Sequence, residues 1–386
     1  MARRLQILLP SFNASTNLLG CVAHVINLGA KAGMVVLRGI EDDGEEEEIS
    51  MVDNDSDKPH PSRLTPQCRE QFREVVGFAQ PDLRDSGARL TTLKIDVSTR
   101  WNSTFEMFER AIQLRRSCDH CCEENTETRP YLLSPSEGDQ AANVMNLLQP
   151  LSEATTLLCG SHYPTINKAL PIYIVLMKHL KQIEHNLYNQ SQLIQPATQI
   201  ITKLEQYLLA ALIKPVYICA MILDPTFKTQ ICQKNKAFLE EYYKLSVNII
   251  LVTFREAARQ LEPKDTTTQP TPSTSSGIAK KPSLSSSELH GPVAVLEAEI
   301  DCYLKEDLKP EKTDAPSYWA VQQKNYPVLS KMARRFLAVP ATSAASERVS
   351  SRGRQIVSWQ RSSLDPVTIK QLLCLKKWYQ LINSPL

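Results

Sequence analysis

Apolar side chains along this chain recur mostly at steps of three and four, the spacing of one helix face. Between Asn17 and Leu37 they crowd together as Cys21, Val22, Val25, Ile26 and Leu28, predicting a helix that stops at Gly33, a residue suited to a helix C-cap. From about 134 to 262 the helical pattern repeats through Leu147-Leu148, Leu151 and Leu157-Leu158, then Ile172 to Ile183, Ile200 to Leu212 and Ala237 to Leu261. Pro150, Pro164, Pro171 and Pro215 punctuate these stretches, which read as an all-helical block. Val293, Leu296, Ile300, Leu304 and Leu308 predict a further amphipathic helix, and Ile369, Leu372, Leu373, Leu375 and Tyr379 a terminal apolar one. The pattern changes once: the β-branched run Leu90-Thr-Thr-Leu-Lys-Ile-Asp-Val97 predicts a short strand. Arg100-Trp101-Asn102-Ser103-Thr104 then leads into a helix with Phe105, Met107, Phe108, Ile112 and Leu114, with Asn102 or Ser103 as its N-cap.

Polar stretches separate these blocks. Glu41-Asp-Asp-Gly-Glu-Glu-Glu-Glu48, followed by Asp53, Asp55 and Asp57, repels itself and offers nothing to bury, so residues 41–88 read as an acidic disordered insert. Residues 263–292 are rich in Thr, Ser, Pro and Lys, the composition of a flexible linker. The division that follows is a first segment over 1–40, the insert, a strand and helix over 89–125, a helical block over 126–262, the linker, and a C-terminal region over 293–386.

A chain of 386 residues with 42% hydrophobic content can bury a sizeable core. Lys plus Arg (44) nearly balance Asp plus Glu (42), so net charge does not point to nucleic acid. The distribution says more: acids cluster early and bases late. No apolar run reaches the roughly 18–20 residues of a membrane span. The opening Met1-Ala-Arg-Arg-Leu-Gln-Ile-Leu-Leu-Pro10 is too short in its apolar part for a signal peptide and reads as the tail of a helix. Ten scattered cysteines favour reduced thiols in the nucleus or cytosol over a disulfide framework.

Three blocks carry a resemblance. Leu18-Leu-Gly-Cys21-Val-Ala-His24-Val-Ile-Asn27-Leu resembles the Cys-x-x-His helix of hAT transposases, and Asp96-Val-Ser-Thr-Arg100-Trp101-Asn102-Ser103-Thr104 resembles their Arg-Trp-Asn-Ser block. Tyr303-Leu-Lys, Tyr318-Trp319, Tyr326-Pro327 and Leu337-Ala-Val-Pro340-Ala-Thr-Ser343-Ala-Ala-Ser346-Glu347-Arg348-Val349 are similar to the family's C-terminal dimerisation region. So are Arg361-Ser-Ser-Leu364 and Leu373-Cys-Leu-Lys-Lys-Trp378.

The resemblance implies a mostly α chain with a small α/β part: an incomplete RNase H-like fold interrupted by an all-helical insertion. It also implies three acids holding Mg²⁺ or Mn²⁺, because in-line phosphodiester cleavage uses a metal pair and hard cations take carboxylates. The third acid corresponds to Glu347. The first two belong upstream of the Cys-x-x-His helix, where this chain has twenty residues before Cys21 and no Asp or Glu among them. The expectation is therefore an N-terminally truncated, catalytically inactive chain that needs no cofactor. Val349-Ser350-Ser351 departs from the family's usual aromatic after the valine.

Each candidate residue carries two readings. Cys21 and His24 lie one helical turn apart and could hold zinc, with Cys118-Asp-His120-Cys121-Cys122 as a source of further ligands. Burial of Cys21 with His24 hydrogen-bonded is the structural alternative. Trp101 corresponds to a tryptophan implicated in handling a flipped base, or it packs in the core. Glu347 is a remnant metal ligand, or a first-turn acid favoured by the helix dipole. Lys331, Arg334, Arg335, Arg348, Arg352, Arg354 and Arg361, interleaved with Trp359, would meet DNA phosphates or form a solvated face. Trp319, Ile369, Leu372, Leu373, Leu375 and Trp378 are assigned to dimerisation, since the terminal helix is apolar around more than half its circumference. The expected protein is a nuclear homodimer, or a dimer with related transposases, with residual DNA contact and no membrane. The alternative is a metal-dependent transposase part that acts with a full-length partner.

Overall fold

The computed structural model describes residues 19–38, 66–82, 92–94, 96, 101–126, 128–160, 164–185, 191–212, 214–261 and 292–348, with 365, 367, 368, 371 and 375 near the end. Its longer helices are α1 (Val22–Arg38), α2 (Pro66–Ala79), α3 (Trp101–Gln113), α4 (Arg115–Glu124), α5 (Pro135–Leu158), α6 (Ile166–Glu184) and α7 (Ile194–Leu212). They continue with α8 (Pro215–Ile222), α9 (Gln230–Lys234), α10 (Lys236–Tyr243), α11 (Val247–Arg259), α12 (Pro292–Lys305), α13 (Ala315–Val321) and α14 (Pro327–Leu337). Two compact units divide the chain. One comprises Met1–Val22, Leu158–Ile174 and Leu208–Leu386, the other Ala23–Leu157 and Val175–Tyr207.

In the second unit α1 meets α7 through glycines. A Cβ on Gly33 would stand 2.7 Å from the Ile200 side chain, and one on Gly29 3.3 Å from Leu204. Glycine costs a helix interior about 1 kcal/mol relative to alanine, and here it gives a bulky neighbour room to approach. The helix accordingly runs through Gly33 to Arg38 instead of stopping there. Residues 66–79, inside the 41–88 stretch expected to lack order, form α2, whose Phe72, Val75 and Val76 make an apolar stripe at steps of three and four. It packs on α4, and Gln80 just beyond it donates to the Gln113 carbonyl (3.0 Å) and accepts from the Ser117 hydroxyl (2.7 Å).

The expected strand over 90–97 does not form among its described residues, and no strand occurs among the described residues at all. Side chains dock this segment on α3 instead. Lys94 pairs with Glu106 (2.8 Å), Arg110 donates to the Thr92 carbonyl (3.0 Å), and Asp96 accepts from Ser103 (3.0 Å) and Thr104 (2.7 Å). The helix begins at Trp101, so Asn102 and Ser103 lie inside it rather than capping it, and Asn102 accepts from Ser152 (2.8 Å). Pro150 lies inside α5, whose buried Leu147, Leu148 and Leu151 hold the helix across it. A reciprocal Ser134–Glu137 capping box starts α5.

In the first unit Pro171 falls inside α6 rather than between helices. The stretch Ala237–Leu261, expected as one helix, breaks at Lys244, which adopts a left-handed conformation (φ 53°). Ser246 then caps α11 by accepting from the Ile249 amide (3.3 Å).

The core of this unit is α8, buried from Tyr217 to Ile222 and packed against α11 and α14. A helix leaves its last carbonyls without intrahelical donors. Here the Tyr303 hydroxyl donates to the Ile222 carbonyl (2.8 Å) and the Trp319 indole to that of Leu223 (2.7 Å). Asp224 then turns the chain, accepting from the amide and hydroxyl of Thr226 (2.8 and 2.7 Å) and from Asn167 (2.5 Å).

The turn delivers Lys228, buried and at positive φ (46°), to the end of α12, where its ammonium donates to the carbonyls of Tyr303 (2.6 Å) and Glu306 (2.8 Å) and lies 4.5 Å from the Tyr303 ring centre. Burial pulls the Lys228 pKa below its ordinary value, partly offset by the nearby Glu306 charge. Pro327 has no amide proton and Tyr326 supplies no side-chain cap, so the start of α14 takes its cap from Glu299, which accepts from the Leu329 amide (2.7 Å). On α12 the buried face is therefore Leu296, Glu299, Ile300 and Tyr303, with Leu308 beyond the helix and exposed.

Glu306 closes this core by accepting from the hydroxyls of Tyr326 (2.5 Å) and Tyr318 (3.1 Å). Burial pushes its carboxyl pKa up, but the two tyrosine hydrogen bonds and the charges of Lys228 and Lys309 outweigh it, so the group ends below its ordinary value. The same carboxylate, after burial, holds both phenols above theirs. A carboxyl whose pKa falls on folding contributes stability above its unfolded pKa of about 4.3, and that stability fades as pH drops through the lower folded value. Glu306→Gln should thus lower urea stability by about 1 kcal/mol at neutral pH, the difference between a charge-assisted and a neutral hydrogen bond. Titrated from pH 7 down through the carboxylate range, the two midpoints should converge. A gap that stays constant would remove the ionised carboxylate from this role.

Candidate functional site

Residues 341–348 hold the Ser-Glu-Arg block, and the first unit pins this segment along its length. The Val22 amide donates to the Ala341 carbonyl (3.0 Å), the Ala341 amide to the Thr165 hydroxyl (3.0 Å), and the Thr342 hydroxyl to the Leu158 carbonyl (3.4 Å). The amide and hydroxyl of Ser343 each lie 3.3 Å from the Cys21 sulfur. Ser343 opens a short helix over 344–348, its carbonyl accepting from the Glu347 amide (2.9 Å) while its hydroxyl bonds the Glu347 carboxylate. Arg348 reaches back to the Cys159 carbonyl (2.7 Å). Burial pushes the Cys159 thiol up, against a hydrogen bond with Thr342 that lowers it, and the neighbouring Cys21 and Glu347 add to the rise. The fold therefore brings together Cys21, Glu347 and Arg348, three residues singled out from sequence.

His24 is exposed, and Cys21 is half-buried rather than sealed in the core. Cys118, Cys121 and Cys122 are half-buried on α4, where burial first, then Cys122, Asp119 and Cys121, push the Cys118 thiol up to about 12. His120 stacks on Phe78 (5.4 Å between centres). Among the described residues no three His, Cys, Asp or Glu side chains are grouped to hold a metal ion. Because no such group forms at Glu347 or Cys21 among the described residues, these residues do not by themselves make up the acid-bound metal pair that the resemblance implies, nor a four-ligand zinc site.

Trp101 is 3% exposed. Trp319, assigned to dimerisation, is equally buried in the core of its own chain, its indole donating to Leu223, so its ring is engaged within the protomer. Leu375 is 57% exposed on a helical stretch, while Ile369, Leu372, Leu373 and Trp378 lie outside the described residues, as do Arg352 and Arg354. Arg334 and Arg335 are exposed in the last turn of α14.

Sequence reasoning passed over Asp224, Lys228 and Glu299, whose hydrogen bonds hold the C-terminal helices together. Asp224-Pro225-Thr226 at the end of a wholly apolar run was a legible turn signal. The two others are single charges with no pattern around them.

Residues 299–379 match the hAT family C-terminal dimerisation region, and residues 19–147 match the ZBED1 RNase-like helical domain. Over most of its length the chain is similar to a Zea mays protein named for the AC9 transposase (25% identical, 93% of this chain and 45% of the relative). It is also similar to the zinc finger BED domain-containing protein 4 of Homo sapiens (23%, 95% and 29%) and to the zinc finger BED domain-containing protein DAYSLEEPER of Arabidopsis thaliana (25%, 74% and 41%). The chain spans less than half the length of each of these relatives. The chain thus carries a hAT family C-terminal dimerisation region after a stretch similar to the ZBED1 RNase-like helical domain.

Proposed function

We propose that this chain is a hAT-derived dimerisation module that pairs, in the nucleus, with a second copy of itself or with a related transposase chain through residues about 300 to 382. The carrying observation is that the matched region leaves large apolar side chains uncovered: Leu308 (37% exposed), Val321 (79%), Val367 (59%) and Leu375 (57%). Burial of such groups against a partner stabilises association at roughly 25 cal/mol per Å² of apolar surface. The match to an RNase-like helical domain supports reading residues 19–147 as the helical part of an RNase H-like assembly. Strand cleavage is not expected from these residues by themselves, nor is a bound metal: among the described residues no three metal-ligating side chains converge at Glu347.

A weaker DNA contact accompanies this reading. Arg334 and Arg335 are exposed in the last turn of α14, and the transposase resemblance implies DNA, a polyanion that exposed guanidinium groups meet through its phosphates.

Two measurements test the proposal. Size-exclusion chromatography with light scattering should give twice the chain mass at micromolar concentration; a clean monomer there contradicts it. For the DNA contact, the double substitution Arg334→Ala/Arg335→Ala should weaken duplex binding and flatten the log-log salt dependence by about 2, one for each phosphate that is no longer neutralised. An unchanged slope removes these arginines from the interface.

A further inference from the structure

We infer that Cys21 is a positioning residue for Glu347, acting through Ser343. The connection is a chain of two side-chain contacts across 322 residues of sequence: the Cys21 sulfur lies 3.3 Å from the Ser343 hydroxyl oxygen, and that hydroxyl bonds the Glu347 carboxylate. Proton counting fixes its direction. An ionised carboxylate only accepts, so the single proton of the Ser343 hydroxyl goes to Glu347. In the other contact of that oxygen, with the Cys21 sulfur at 3.3 Å, only the Cys21 S–H is then left to supply a proton. Sulfur in turn accepts from the Ser343 amide (3.3 Å), so Cys21 grips Ser343 by both backbone and side chain.

The surrounding geometry makes this grip selective for Glu347. The neighbouring residues of the segment have their own anchors, Ala341 on Val22 and Thr165, Thr342 on Leu158, and Arg348 on the Cys159 carbonyl. Without the Cys21 hold the segment therefore stays tethered on both sides, and chiefly Ser343 and the carboxylate beyond it are freed. Glu347 is otherwise exposed, and a free glutamate in a five-residue helix samples several rotamers. The hold keeps its carboxylate in one orientation, the condition for any group that must present an acid to a ligand. The geometry stands on these contacts alone; only its catalytic meaning rests on reading Glu347 as the family-like third acid.

The test compares Cys21→Ser, which keeps a donor, with Cys21→Ala, which does not. Amide exchange at Ser343 and Glu347 should accelerate about fivefold in Cys21→Ala, the loss of one hydrogen bond of about 1 kcal/mol, and return towards wild type in Cys21→Ser. Equal behaviour of the two variants would mean that Cys21 only fills space, and would overturn the inference. Infrared spectroscopy gives a second readout that does not depend on the alanine variant folding. The S–H stretching band of Cys21, isolated by subtracting the Cys21→Ser spectrum, should move to higher frequency in Ser343→Ala as the thiol loses its acceptor; a band that stays put refutes donation to Ser343. Light scattering on the same samples reports separately on dimerisation, so a monomer with the expected exchange and infrared pattern would sink the proposed function and leave the Cys21 hold intact.

Discussion

Helix ends in the C-terminal half are completed by side chains from other helices, and this crossed capping is the constraint on which the rest of the first unit depends. The last carbonyls of α8 receive Tyr303 from α12 and Trp319 from α13. The end of α12 receives Lys228 from the turn beyond α8, and the start of α14 receives Glu299 from α12. A buried carbonyl or amide without a partner costs about 1–3 kcal/mol, so none of these helices can leave without exposing or orphaning the ends of the others. Two of the groups are charges away from water, which is costly unless each is paired with well-placed dipoles. The helix termini supply those dipoles with the right sign: an ammonium at a C-terminal end and a carboxylate at an N-terminal one.

This arrangement gives the dimerisation region its shape before any partner arrives. Tyr303, Trp319 and Tyr326 cluster within 6.3 Å of one another between ring centres, and their polar tips are consumed inside the protomer. Large aromatic side chains that sequence alone would offer to a partner are thus spent on the monomer core. Among the described residues of this region, the proposed association is left with the exposed aliphatic set Leu308, Val321, Val367 and Leu375. The same division of labour appears at residues 341–348, where a short exposed helix bearing Glu347 is fixed by contacts from residues 21–22 and 158–165.

Local periodicity made the helices legible. The spacing of Leu147, Leu148 and Leu151, or of Ile200 and Leu204, dictates an apolar face whatever the rest of the chain does. Where the reading went astray, a distant residue decided. Gly33 looked like a helix stop because glycine often is one, yet Ile200, far along the chain, occupies the space its missing side chain leaves. Leu90–Val97 had the composition of a strand, and side chains of α3 engage its described residues instead of a neighbouring strand. The motif blocks pointed to the hAT dimerisation region through short runs of residues, but nothing local told that Lys228 meets residue 303, that Trp319 meets residue 223, or that Cys21 meets Ser343. These pairs lie 75, 96 and 322 positions apart, beyond the reach of any window of helical periodicity.

The most direct test of crossed capping is a double-mutant cycle in urea, using Lys228→Met and Glu299→Met, which remove the donor and the acceptor outright. Each substitution alone should cost about 1–3 kcal/mol, because each orphans buried backbone groups. Together they should cost less than the sum, since the loss of either cap already loosens the shared helix α12. Costs that are both below about 0.5 kcal/mol, in the range of ordinary surface substitutions, or that simply add, would contradict the account and leave the C-terminal helices held by apolar packing alone.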